Sequence, residues 1–154
     1  MKNGKRAGKF IRGALFALMQ WTWGLPQNLV GAALLPLFRG RRFRYHGALV
    51  TVYRGMRKLT DNSGFSLGSF IFIPEAWSDH DKEHVVVHEY GHSVQSLILG
   101  PLYLPVVALP SVIWSRRYTK RWKTYRARGI GYTDRFPEND ADRLGEAVTG
   151  EKPY

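Results

Sequence analysis

Residues 78–101 read SDHDKEHVVVHEYGHSVQSLILGP, and this stretch carries the strongest structural signal in the chain. Ser78 is a preferred helix N-cap residue, and the acidic residues that follow it suit the positive end of a helix dipole. Gly100 and Pro101 are typical of a helix end. The sequence therefore predicts one long helix that begins at Ser78-Asp79 and ends near Leu99.

His88, Glu89 and His92 form an HExxH motif inside this predicted helix. Residues four apart lie on one helical face, so both imidazoles can bind one metal ion while Glu89 lies beside them. A catalytic Zn²⁺ takes three protein ligands and keeps one position for water, for which Glu89 is the expected general base. We interpret His80 and His84 as solvated residues of the first turns. The alternative for the motif itself is a polar helix face whose histidines hydrogen-bond locally.

A third metal ligand is expected downstream, where residues 136–145 read FPENDADRLG. Glu138 and Asp142 are four apart on one face of a helix predicted from about Pro137 to Thr149-Gly150. Glu138 is the predicted third ligand. Asp142 is predicted to accept the ring N–H of a ligating histidine, which fixes the orientation of that ring. The alternative is an acidic, solvated terminal helix.

An HExxH helix followed by an ExxxD helix resembles the gluzincin metallopeptidases, the thermolysin-like group. The matching positions are His88, Glu89, His92, Glu138 and Asp142, and the resemblance, closest to small bacterial members, covers roughly residues 65–145. It implies a zinc-dependent hydrolase of peptide bonds in peptide or protein substrates.

The resemblance also implies that the strand before the active-site helix, residues 68–73, presents an edge to an extended peptide. Gly68, Ser69 and Phe70 are the substrate-binding residues that follow from it. The chain departs from the family in being short and in lacking an obvious second lobe. No His or Tyr is assignable to oxyanion stabilisation: Tyr132 and Tyr125 are considered for this role, but an ordinary packing role is favoured for each.

Two stretches before the helix are rich in strand-forming residues, 45–53 and 64–73, with a polar turn-like segment at 58–64 between them. They predict paired strands beside the HExxH helix. The predicted fold class is α+β and zincin-like, with a small sheet or hairpin packed on the HExxH helix, an N-terminal helical hairpin and a C-terminal helix. Residues 43–154 form the predicted metal-binding domain.

Residues 1–42 combine a basic N-terminus with an uncharged stretch from Gly13 to Phe38. The segment Trp23–Asn28 contains Pro26 and predicts a break between two short helices, each too short to span a bilayer. We expect this part to associate with a membrane as a re-entrant hairpin or an interfacial helix pair. A helical hairpin packed into a soluble core is the alternative. The uncharged, proline-punctuated residues 100–114 predict a buried loop or a second membrane-touching surface.

The 23 Lys and Arg outnumber the 12 Asp and Glu, which gives a formal net charge of +11 and favours anionic partners. Basic clusters at 2–12, 39–58 and 116–128 lie beside or after the uncharged stretches, as expected at an anionic membrane surface. We predict membrane association, at the bacterial inner membrane with the catalytic domain on the cytoplasmic side. The alternatives are an inactive zincin-like interaction module at the membrane and, less favoured, a nucleic-acid-binding protein. The absence of cysteine excludes disulfides and thiolate ligands.

Overall fold

The computed structural model describes residues 2–55, 60 and 63–153. The fold is α+β, with a four-stranded mixed sheet of order β1-β2-β4-β3. In chain order the elements are α1 (Lys2–Thr22), α2 (Leu25–Leu34), β1 (Gly40–Tyr45), β2 (Ala48–Tyr53), β3 (Phe65–Leu67), β4 (Phe70–Pro74), α3 (Asp79–Leu99), α4 (Leu109–Lys120), α5 (Trp122–Ala127) and α6 (Glu138–Thr149). Short 3₁₀ turns lie at Gly100–Leu102 and Tyr132–Asp134, and a π-helical turn lies at Leu104–Ala108.

The centre of the sheet is the parallel pair β2 and β4, flanked by β1 and β3 in antiparallel pairing. Val50, Ile71 and Ile73 are fully buried and form one hydrophobic cluster with Val86 and Tyr90 of α3. Burial of these β-branched residues holds α3 against the sheet. The helix that carries the HExxH motif is therefore a core element of the fold.

The prediction of one strand over residues 64–73 is wrong, because a tight turn at Gly68-Ser69 divides it into β3 and β4. Gly68 has a positive φ of 61°, a conformation that favours glycine. The backbone N–H of Ser69 donates to Oδ1 of Asn28 at 2.7 Å, so the turn is held by α2. As a consequence β4 lies inside the sheet, and β3 lies at its edge among the described residues. The predicted turn at 58–64 falls partly outside the described residues.

Strand β1 was not predicted, since GRRFRY reads as a basic segment. Its residues are almost all exposed, which is usual for an edge strand that carries charged side chains. His46 and Gly47, both with positive φ, form the two-residue turn into β2.

The predicted bounds of the two metal-site helices are confirmed. Helix α3 begins after Ser78, whose hydroxyl accepts the N–H of Asp81, and ends at Leu99. Helix α6 crosses α3 at very short distance, because Gly91 faces the backbone of Ala141 and Gly145 faces the backbone of Val87. Only glycine lets two helix backbones approach so closely.

The predicted N-terminal helix pair is also present, with Gly24 between α1 and α2. One face of the pair packs on the domain through buried amides: Gln20 Nε2 donates to the Ser93 carbonyl at 2.8 Å, and Gln27 Nε2 donates to Ser96 Oγ at 2.7 Å. Residues 100–114 are helical, so the prediction of a buried loop there is wrong. Within the part of the chain that the structure describes, no helix combines the length and the apolar character needed to cross a membrane.

Candidate metal centre

Three side chains from two helices converge at the crossing of α3 and α6. Oε2 of Glu138 lies 3.1 Å from Nε2 of His88 and 3.3 Å from Nε2 of His92. All three residues are buried, and their potential ligand atoms lie within 4.8 Å of one another. The His-His-Glu group that the sequence predicts is thus brought together, and it can hold a metal ion.

Each imidazole is oriented through its other nitrogen. Nδ1 of His88 lies 2.6 Å from Oδ1 of Asp142, the partner that the sequence predicts. Nδ1 of His92 lies 2.7 Å from Oε1 of Gln95. A ring N–H that donates to an oxygen at Nδ1 leaves the Nε2 lone pair for a metal ion, so both rings are preset as ligands.

Gln95 is a site residue that sequence reasoning missed. It lies one turn after His92 on α3, and its amide nitrogen donates to the Pro137 carbonyl and to Asp140 Oδ2, each at 3.0 Å. Gln95 therefore connects the ring of His92 to the start of the helix that carries Glu138. The spacing of three residues from a predicted ligand was the available signal, because such neighbours share a helical face.

Glu89 is buried beside the three ligands, and its Oε2 has no hydrogen-bond partner among the described residues. Gly64 leaves the room for this carboxylate, since an added Cβ would lie 3.0 Å from Glu89 Oε1. Burial raises the pKa of Glu89, and the two nearby histidines counteract this only in part. A carboxylate with a raised pKa in a cleft is suited to proton transfer.

The charges of the cluster are strongly coupled. Burial lowers the pKa of His88, but hydrogen bonds with Asp142 and Glu138 outweigh it and raise the pKa to about 10. Burial acts to raise the pKa of Glu138, yet hydrogen bonds from both histidines lower it well below its usual range. Glu138 is therefore held as an anion between the two imidazoles.

The residues fit zinc in chemistry and in spacing. Neighbouring ligand atoms of a tetrahedral site with bonds of about 2.0 to 2.2 Å are separated by about 3.3 Å. The separations of Glu138 Oε2 from the two Nε2 atoms, 3.1 and 3.3 Å, match that value. Oε1 of Glu138 is buried and without a hydrogen-bond partner among the described residues, as expected of a group whose partner is not a protein atom.

A cleft of about 360 Å³ opens onto this cluster. Glu89, His92 and Tyr132 line it together with apolar and polar residues of α2, β3 and α4. The backbone carbonyl of Tyr132 accepts the indole N–H of Trp114 at 2.8 Å, and this hydrogen bond fixes the position of the residue. Burial raises the pKa of the Tyr132 hydroxyl. Tyr125 stacks on Tyr118 and does not line the cleft. Of the two tyrosines considered for oxyanion stabilisation, the structure brings only Tyr132 to the site.

The structure does not place Gly68, Ser69 or Phe70 in the cleft. Gly68 and Ser69 form the turn held by Asn28, and Phe70 is buried in the interior strand β4. The physical reason is that turn, which reverses the chain within the stretch that the sequence predicts as one strand. The cleft is lined instead by edge strand β3, with Phe65, Ser66 and Leu67.

Comparisons with family models, with curated proteins and with solved structures return no match for this chain. The functional interpretation accordingly depends on the geometry of the site itself.

Proposed function

We propose that the protein is a zinc-dependent metallopeptidase of gluzincin type with a zincin-like fold. The observation that carries the proposal is the convergence of His88 Nε2, His92 Nε2 and Glu138 Oε2 beside the buried carboxylate of Glu89. Two imidazoles and one carboxylate with an adjacent acid–base group are the ligand set of hydrolytic zinc sites, in contrast to the closed four-ligand set of structural sites.

His88, His92 and Glu138 would hold the ion, and Asp142 and Gln95 fix the two rings. Zinc bound there supplies a Lewis acid that polarises the scissile carbonyl and brings the pKa of a water molecule near neutrality. Glu89 accepts the proton of the attacking water and delivers it to the leaving amine. Its raised pKa favours the first transfer, since a more basic carboxylate accepts the proton of water more readily.

Edge strand β3 is the place where an extended substrate would bind. It lines the cleft and, within the described part of the chain, pairs on one side only, with β4. An extended peptide can add to such an edge through main-chain hydrogen bonds, with alternate side chains entering pockets. The apolar walls formed by Leu34, Phe38 and Leu67 favour an apolar substrate side chain beside the scissile bond.

The first test combines metal analysis with hydrolysis of a quenched-fluorescence peptide library. We expect one zinc ion per chain and hydrolysis that a chelator abolishes and added Zn²⁺ restores. Glu89→Gln should retain zinc and lose about 10²-fold or more in rate, the usual contribution of a general base. Glu138→Gln should lose zinc affinity. Glu146→Gln, at an exposed position of the same helix, is the matched control and should retain both properties.

Equal rates for the wild type and Glu89→Gln would exclude Glu89 as the base. Absence of bound zinc after purification with added Zn²⁺ would exclude the site. Retained zinc with no hydrolysis by the wild type would instead favour the inactive interaction module.

A further inference from the structure

Two segments of the chain expose many apolar side chains and form an apolar surface. It consists of the exposed apolar side chains of residues 11–37 and 98–113, among them Leu15, Leu18, Leu29, Leu102, Leu109 and Ile113. Leu18 and Leu102 are 59% and 60% exposed. No charged residue occurs from Gly13 to Phe38 or from Gly100 to Trp114. A concentration of exposed apolar side chains marks a site of interaction.

The two parts of this apolar surface meet at the turn between α1 and α2. Trp23 covers Gly100 so closely that an added Cβ would overlap its ring. Gln27 Nε2 from α2 donates to the carbonyl of the same Gly100 at 3.0 Å. The buried amides of Gln20 and Gln27 fix the inner face of the helix pair, so the apolar side chains opposite remain outside.

The distribution of charge shows what kind of partner fits. All 12 acidic residues lie within 61–89 and 134–151, so the stretches 1–60 and 90–133 that contain the apolar surface carry only cations. Arg42 donates to the Leu35 carbonyl at the end of α2. Arg116 and Arg117 follow Val112 and Ile113 by one helical turn and share their faces of α4. Cations therefore border the apolar surface at both ends.

We propose that this apolar surface docks on an anionic lipid bilayer, with the bordering cations at the head groups. Apolar side chains that enter the acyl boundary, surrounded by Arg and with exposed Trp21 and Trp23 among them, match an interfacial membrane site. A second copy of the chain fits poorly, because association through this surface brings the same cations together. Nucleic acid would leave the apolar side chains in water.

The candidate active-site cleft opens beside the docking surface. Leu34 at the end of α2 and Val112 and Arg116 of α4 line the cleft, and these helices carry the apolar surface on their outer sides. Docking would place the mouth of the cleft at the bilayer. Provided that the proposed peptidase function holds, the substrate class is a polypeptide segment at the membrane surface.

The test is co-sedimentation of the full chain with vesicles of phosphatidylcholine containing about one third phosphatidylglycerol, at low and high salt. The variant Leu102→Gln/Leu109→Gln should bind the vesicles at least about tenfold more weakly than the wild type. Phe43→Gln/Val148→Gln, at exposed apolar positions away from the surface, is the matched control and should bind like the wild type. Binding should weaken with salt and on pure phosphatidylcholine. Glu89→Gln should bind vesicles normally.

Failure of the wild type to bind vesicles, equal loss in both double variants, or a stable dimer in place of lipid binding would overturn the docking surface. Cleavage is tested separately with one peptide in a lipid-anchored and a soluble form. Faster cleavage of the anchored form supports the substrate class, and preference for the soluble form refutes it. Absence of cleavage of both forms, with vesicle binding intact, would refute the peptidase function alone.

Discussion

Substitution of Gly91 by alanine should disassemble the metal site without unfolding the protein. An added Cβ at Gly91 would overlap the carbonyl oxygen of Ala141 and would lie 2.6 Å from its carbonyl carbon. Non-bonded atoms in contact are about 3.5 to 4.0 Å apart, so α3 and α6 must separate locally by about 1 Å or more. Ala141 lies between Glu138 and Asp142, and the displacement therefore reaches the carboxylates that meet His88.

The expected effect on function exceeds the effect on stability. A functional site requires positions held to about 0.5 Å, so a displacement of about 1 Å should weaken zinc binding about 10- to 100-fold. Overpacking lowers the free energy of unfolding by about 1 to 3 kcal/mol, and the better helix propensity of alanine raises it by about 1 kcal/mol. A net loss of about 2 kcal/mol or less leaves a domain of ordinary stability folded.

The assay measures zinc affinity by competition with a chelator, together with urea unfolding and far-UV circular dichroism. Gly8→Ala is the matched control, because Gly8 is also helical and an added Cβ there meets no atom within 4 Å. Gly8→Ala should retain wild-type zinc affinity. If Gly91→Ala also bound zinc as tightly as the wild type, close approach of α3 and α6 would not be what holds the ligands together.

Three further substitutions follow from hydrogen bonds of the site and of the N-terminal helix pair. Asp142→Asn should weaken zinc binding about tenfold, because the amide supports the ring of His88 less well than the carboxylate; unchanged affinity in chelator competition would contradict this. Gln95→Leu should have a similar effect through His92, because the ring loses the acceptor at Nδ1; zinc affinity equal to that of the wild type would show that this hydrogen bond does not orient the ring. Gln20→Leu leaves the Ser93 carbonyl without its side-chain donor and should lower the free energy of unfolding by about 1 to 3 kcal/mol, measured by urea titration; an unchanged midpoint would show that this hydrogen bond does not anchor α1.

The sequence predicted the elements whose signals are local. The HExxH helix and the C-terminal helix have caps, periodicity and terminating residues within their own stretch, so their bounds could be read directly. The spacing of Glu138 and Asp142 is a helical property as well, and it identified both positions before any contact was known. The α+β class followed from the same local patterns.

The arrangement of the strands could not be predicted in this way. The strand-forming residues 64–73 do not show that the chain reverses at Gly68-Ser69, because that turn is stabilised by Asn28, about 40 residues earlier. The position of the cleft-lining edge strand β3 depends on this distant hydrogen bond and on the antiparallel pairing of β3 with β4. Gly68, Ser69 and Phe70, inferred from one continuous strand, therefore lie in the turn and in the interior strand, and the cleft is lined by β3.

By itself, the sequence determined which residues have metal-binding chemistry, which helices carry them, and which segments of the chain are apolar and which are basic. Tertiary structure alone decided that Glu138 lies between the two imidazoles, that Gln95 supports His92, and that the apolar side chains of two distant segments share one surface. The physical reason is that helix formation and capping depend on neighbours within a few residues. The distance between two helices instead depends on what their facing residues allow, here Gly91 and Gly145 against opposing backbone.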